Sequence, residues 1–252
     1  MLSGLKIIIS VLPLLLILSC ASTDRGKKKP NEVDIHYTLG LSYYNEGNRV
    51  GALKELLYAE SLASRNKEVQ NALGLVYFSL DRHEDSISHF KKAIEIDKGY
   101  SAAYNNLGTV YLDREDYDEA ITTFEKATSN VLYGTPEMAY NNIGWAYYKK
   151  GDFKKALDSY RTALKFAPQF LLPRYNIATV YYERKMYEEA VNELKKLLHQ
   201  SPNSAEARFK LGLAYLQLKK NKAALEAFKK CLEGEISETI KSDAEHYIKL
   251  LK

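Results

Sequence analysis

The sequence predicts an all-α protein, built as a solenoid of two-helix units. Three observations carry that prediction. Small residues recur at Gly40, Gly74, Gly108, Gly144, Ala178 and Gly212, spaced by 34, 34, 36, 34 and 34 residues. A tyrosine follows each by three positions, at Tyr43, Tyr77, Tyr111, Tyr147, Tyr181 and Tyr215. A second small residue follows by twelve, at Ala52, Ser86, Ala120, Ala156, Ala190 and Ala224. A fixed period of this length inside an amphipathic pattern marks an array of helix pairs, each burying its apolar face against its neighbours.

The elements can be justified in chain order. Residues 1–19 carry a single charge, Lys6, and an apolar run from Ile7 to Leu18 broken by Ser10 and Pro13. That run has the length of a secretory signal and is shorter than the roughly 20 apolar residues that span a bilayer. It ends Ile17-Leu18-Ser19-Cys20. The ending resembles the bacterial lipoprotein box, which implies cleavage before Cys20 and acylation of its sulfur and amine. Leu18 is bulkier than the usual occupant of its position. Ala21 stands where the family's inner-membrane retention signal would place Asp, so the resemblance implies sorting to the outer membrane. Residues 20–32 are polar and include Lys27, Lys28 and Lys29. With no apolar periodicity they read as a flexible tether.

From Val33 the chain divides into units 33–66, 67–100, 101–134, 137–170, 171–204 and 205–238, with a terminal segment 239–252. In the third unit Tyr104, Leu107, Gly108 and Tyr111 share one face of a first helix, and Ala120, Phe124 and Ala127 one face of a second. Aromatic, Leu-Gly, Tyr, Ala, aromatic and Ala at these offsets resemble the tetratricopeptide repeat. The resemblance implies a right-handed superhelical solenoid of six repeats. A later small position holds Ala59, Ala93, Ala127 and Ala163, then departs to Leu197 and Cys231. Cys231 is thus expected to be a buried apolar side chain. Residues 239–252 place Ala244, Tyr247, Ile248 and Leu251 on one face, as a capping helix would.

Composition narrows the function. Lys and Arg number 36 against 32 Asp and Glu, which is no basic stripe for nucleic acid. Two cysteines, Cys20 and Cys231, rule out a disulfide scaffold. The five histidines are scattered. His83-Glu84 begins like a zinc-protease motif, but His89 follows at the wrong spacing for a shared helix face. His83 instead takes a place the repeat gives to an aromatic. With no Gly-rich phosphate loop and no nucleophile in context, neither metal, cofactor nor small-molecule substrate is expected, and the protein reads as a non-enzyme that binds another protein.

In tetratricopeptide arrays the first helices line a concave groove. The resemblance assigns partner binding here to Tyr37, Leu41, Tyr44, Leu75, Phe78, Asn105, Thr109, Asn141, Trp145, Tyr148, Tyr175 and Tyr182. This lining is aromatic and aliphatic, nearly without charge, and lacks the basic clamp by which some members hold a terminal carboxylate. It should accept an amphipathic helix or an extended apolar segment. Trp145, the only tryptophan, lies near its middle, where aromatic anchors carry most binding energy. The aromatics could equally pack between repeats as core.

The 36-residue step falls between the third and fourth units, within Asn130-Val131-Leu132-Tyr133-Gly134-Thr135-Pro136. This junction, running into Tyr140-Asn141-Asn142-Ile143-Gly144-Trp145, is similar to that of pilotins, the lipoproteins that help the type IV pilus secretin reach and assemble in the outer membrane. Lipobox, six repeats and junction together imply a lipid-anchored adaptor for secretin subunits, with Leu132, Tyr133 and Pro136 at the recognition surface. Repeat lipoproteins that scaffold peptidoglycan hydrolases or an envelope protease offer a second expectation.

Overall fold

A computed structural model describes residues 31–234 and 236–252. The expected signal segment 1–19, Cys20 and the part of the expected tether up to residue 30 lie outside the described residues. Thirteen helices and no strands occur among those described. They are α1 (Glu32–Asn45), α2 (Arg49–Leu62), α3 (Lys67–Ser79), α4 (His83–Ile96), α5 (Ser101–Asp113), α6 (Tyr117–Thr128), α7 (Pro136–Lys149), α8 (Phe153–Phe166), α9 (Leu171–Glu183), α10 (Tyr187–Gln200), α11 (Ala205–Gln217), α12 (Asn221–Cys231) and α13 (Glu238–Leu250). Consecutive helices pair antiparallel through tight turns, and each pair stacks on the next. Consecutive first helices also touch one another, whereas second helices do not do so appreciably among the described residues. The first helices therefore form the inner layer.

The small-residue ladder has a direct steric cause. A methyl group added at Gly74 would stand 2.5 Å from the Phe90 ring, and one at Gly108 would stand 2.7 Å from the Phe124 ring. Gly144 faces Tyr160 and Gly212 faces Phe228 in the same way. Four of the six second helices thus set an aromatic ring against the backbone of the first helix, while in the first repeat Leu56 takes that place, 2.7 Å from a methyl group added at Gly40. Where the fifth repeat has Ala178 instead, it packs in one cluster with Leu194, and no ring is present. The aromatic payload of the second helix and the missing Cβ of the first are two halves of one contact.

The repeated tyrosine ends the first helix. Its carbonyl accepts the sixth-residue N–H in every repeat, for example Asn48 N to Tyr43 O at 2.8 Å and Met186 N to Tyr181 O at 2.9 Å. The closing residue before that donor is left-handed each time: Gly47, Asp81, Glu115, Gly151, Lys185 and Lys219. This is the helix-terminating turn in which two back-bonds satisfy the last carbonyls. Only two of the six positions use glycine, the residue with no steric penalty there.

The array closes at one end. On α13, Ala244 and Ile248 bury against Phe228 and Cys231, and Tyr247 stacks on Phe228 at 5.0 Å between ring centroids. Cys231 is fully buried and its thiol donates to Ala205 O at 3.2 Å. At the other end Ile35 and Leu39 of α1 stay exposed. Their counterparts in α3 are Val69 and Leu73, both fully buried.

Candidate partner-binding groove

Six first helices lie side by side in the inner layer, so the same helix positions recur as rows along it. Tyr37, Leu41 and Tyr44 are half-buried against the first core cluster, and Leu75 and Phe78 against the next. Tyr175 and Tyr182 pack likewise against Ala178 and its neighbours. These side chains both seal the repeat interfaces and leave an edge on the groove. Trp145 is half-buried. It stacks on Tyr148 at 5.0 Å, and Lys149 Nζ sits 5.2 Å from its ring centroid.

Beside Trp145 the groove deepens into a depression of about 320 Å³ lined by Phe78, Thr109, Leu112, Asp113, Glu115, Tyr117, Trp145 and Lys149. Three successive repeats contribute. His83 fills the aromatic place at the start of α4, its ring 5.7 Å from Phe78, while its Nε2 lies 3.1 Å from Asp113. A second hollow of about 330 Å³, lined by Leu171, Leu172, Tyr175, Leu197, Ser204 and Glu206, opens further along the array.

The expected exposure of Asn141 needs correction. Asn141 is only 5% exposed. Its Oδ1 accepts from Asn176 Nδ2 at 3.0 Å, so its amide ties the fourth repeat to the fifth and is spent before a partner arrives. The same bond joins Asn106 Nδ2 to Asn71 Oδ1 at 3.0 Å. The row is interrupted at the 36-residue step. There Asn142 turns to Asn141, and the buried Asn105 Oδ1 has no partner among the described residues. Thr109 is occupied locally, its hydroxyl donating to Asn105 O at 3.0 Å.

The groove is also more charged than the sequence suggests. Lys210 continues the asparagine row into the sixth repeat and points its ammonium at Tyr175, 5.0 Å from the ring centroid, and at Tyr182, 6.0 Å away. Burial holds that ammonium below its usual pKa range. The Tyr148 hydroxyl donates to Glu183. Burial, and then this carboxylate, push the phenol far above its ordinary value. Lys210, Asp113, Glu115 and Glu183 were missed because their positions are variable between repeats. The register with Asn106, Asn142 and Asn176 was the signal that would have placed Lys210.

The irregular step forms a pinned loop. Asn130 Nδ2 donates to Gly99 O at 3.0 Å, and its Oδ1 accepts from Leu132 N at 3.0 Å. Tyr133 inserts against Ala120, Phe124, Ala139 and Ile143. Pro136 opens α7, where its missing N–H costs nothing. Between these anchors Val131 and Leu132 are 95% and 86% exposed. No group of His, Cys, Asp and Glu that could hold a metal occurs among the described residues.

These features define a class: a helical repeat scaffold that offers a surface to another protein. Sequence comparison agrees. Descriptions of the tetratricopeptide repeat match residues 67–132 and 99–169, with further repeat matches at 178–219 and 206–233. Together they run through more than half of the chain, which belongs to the tetratricopeptide repeat family. No curated protein matches the sequence. Among solved structures the chain is similar to PilW, described as a widely conserved type IV pilus biogenesis factor. That likeness has a TM-score of 0.76 at 20% identity and covers 84% of this chain and 98% of PilW. It is also similar to PilF of Pseudomonas aeruginosa, with TM-score 0.71, 18% identity, and 79% and 90% of the two chains covered. A third similar structure, YrrB, is described as having an unusual peptide-binding site. There the TM-score is 0.57 at 21% identity, over 76% of this chain and 97% of YrrB.

Proposed function

We propose that the protein is an outer-membrane lipoprotein of the pilotin kind, anchored through acylated Cys20, which binds secretin subunits and promotes their assembly during type IV pilus biogenesis. The observation that carries the choice of system is the agreement with PilW along almost the whole length of that chain. The groove supplies the mode. Binding is stoichiometric, with the partner segment lying along the first helices, its apolar side chains in the depression at Trp145 and against the exposed Leu132. Tyr37, Leu41, Tyr44, Leu75, Phe78, Tyr148, Tyr175 and Tyr182 form the walls. Anchoring by more than one acyl chain makes residence at the membrane effectively permanent.

The test is co-purification from detergent-solubilised envelope, with the secretin detected by immunoblot. Wild type should retain it, and Trp145→Ala and Leu132→Asp should each reduce recovery about tenfold. Leu132 is so exposed that its substitution leaves the fold intact. Recovery of peptidoglycan hydrolases without secretin would replace this reading by the scaffold alternative. Cys20→Ala should move the protein out of the outer-membrane fraction.

A further inference from the structure

The first repeat breaks a rule that the other five keep. Val50 occupies the position of Glu84, Asp118, Lys154, Glu188 and Lys222, and Leu57 that of Lys91, Glu125, Arg161, Lys195 and Lys229. Tyr58 stands where the later repeats have Lys, Lys, Thr, Lys and Lys. These are outer positions of the second helix, and their occupants in α2 stay exposed, Val50 to 76%. With Leu62 they make an apolar stripe on the outer face of α2. Tyr58 carries it toward α1, its ring 4.3 Å from His36 and its hydroxyl donating to Glu32 at 2.9 Å.

The charge on this helix is sorted as well. Its two carboxylates turn inward, Glu55 meeting His36 Nδ1 at 2.6 Å and Glu60 accepting from Gln70 Nε2 at 2.9 Å. Arg49, Lys54 and, just beyond, Arg65 are exposed. The outer face is therefore apolar with a basic fringe, interrupted at its α1 edge by Glu32, which Tyr58 holds. That composition suits an interfacial helix on anionic lipid. It suits a second copy poorly, because a two-fold contact would set the same basic groups against themselves.

We propose that this face of α2 lies on an anionic lipid surface, so that the array stands on the membrane on its first repeat. The inference rests on the reading of Cys20 as the lipid anchor. Cys20 precedes Glu32 by twelve positions, a reach of about 40 Å at most, so the anchor keeps this face beside the bilayer. The outer face of α2 then fixes the tilt of the groove, which the acyl anchor alone would leave free.

Fluorescence tests this directly, because Trp145 is the only tryptophan. The full-length lipoprotein is reconstituted in phosphatidylethanolamine–phosphatidylglycerol vesicles with brominated acyl chains. Leu57→Trp in a Trp145→Phe background should lose half or more of its emission to the bromines and shift to the blue. Trp145 of the wild type should change by less than about a tenth. A Val50→Glu/Leu57→Glu/Tyr58→Trp variant, also without Trp145, should escape quenching while still floating with the vesicles. Flotation of the Leu57→Trp protein with no quenching overturns the proposal and leaves the anchor reading intact. A blue shift without quenching, together with a doubled mass, would show that a second copy covers the face and also overturns it. Failure to float overturns both.

Discussion

At the residue scale a few buried polar side chains tie neighbouring helices together. Gln70 is almost fully buried and donates to Glu60 at 2.9 Å and to Ser64 O at 3.0 Å. Its side-chain carbonyl oxygen, Oε1, therefore accepts, and His89 Nδ1, 2.7 Å away, must be the donor. His89 stacks on Tyr77 at 5.1 Å and is held neutral, chiefly by burial and then by Lys92, against the opposing pull of Glu60 and Asp85. Its pKa in the folded state lies below that of the unfolded chain, so the unfolded state binds the proton better. The stabilisation is complete above the unfolded value of about 6.5 and is lost as the pH falls from there toward the folded value. Urea titrations at pH 7.5 and 5.5 should show wild type losing stability by up to about 1.4 kcal/mol per pH unit, the limit for one proton, and His89→Gln losing clearly less. Equal slopes would remove His89 from the account. The asparagine row makes a second prediction. Asn176→Ala leaves Asn141 Oδ1 buried without a donor and should cost about 1–3 kcal/mol. Asn142→Ala should cost under about 1 kcal/mol, since Asn105 Oδ1 already lacks a partner and the Asn141–Asn142 contact is long, at 3.4 Å.

At the element scale the glycine–aromatic contact decides how closely two helices approach. Gly108→Ala gains about 0.5–1 kcal/mol of helix propensity. Its new Cβ meets the Phe124 ring at 2.7 Å, and overpacking of that kind costs about 1–3 kcal/mol. A net loss of about 1–2 kcal/mol is expected by chemical denaturation. Phe124→Leu should rescue part of it, because Ala178 and Leu194 already use that pairing. A double-mutant cycle with no coupling between the two changes would show that the ring does not set the spacing. The small-residue row was legible in the sequence, and the row facing it holds Phe90, Phe124, Tyr160 and Phe228 but breaks to Leu56 and Leu194. The recurring tyrosine was legible as a fixed position of the repeat, but that its carbonyl closes the turn was not. Side-chain bonds between repeats were not legible. Asn176 and Asn141 are 35 positions apart, one more than the usual period, and only the stagger of neighbouring helices brings them together. The exposed apolar positions of α2 were in plain view, but they gain meaning only once the outer face of the array is defined.

At the scale of the whole molecule the array is a one-dimensional stack whose two ends are treated differently. Stability in such a stack is a sum of repeat and interface terms, and unfolding starts where a terminal repeat lacks a neighbour. The C-terminal repeat has one, because α13 covers Phe228 and Cys231 with Ala244, Tyr247 and Ile248. The N-terminal repeat leaves Ile35 half exposed, at 50%, where the equivalent residue of α3 is sealed. Hydrogen exchange should therefore show α1 and α2 opening first, with protection rising toward α7 and α8 and holding through α12. Ile248→Ala removes a nearly buried side chain and should cost about 2–4 kcal/mol locally. That loss should appear as faster exchange in α11 and α12, with α1 and α2 unchanged. Uniform acceleration along the chain would mean that the six repeats unfold as one unit, and the distinction between a closed and an open end would carry no energetic weight. If the ends do differ, the repeat least supported by its neighbours is the one whose outer face is apolar. Membrane contact at α2 would then supply packing that the first repeat lacks among the described residues, and binding to anionic vesicles should slow exchange in α2 more than in any other helix.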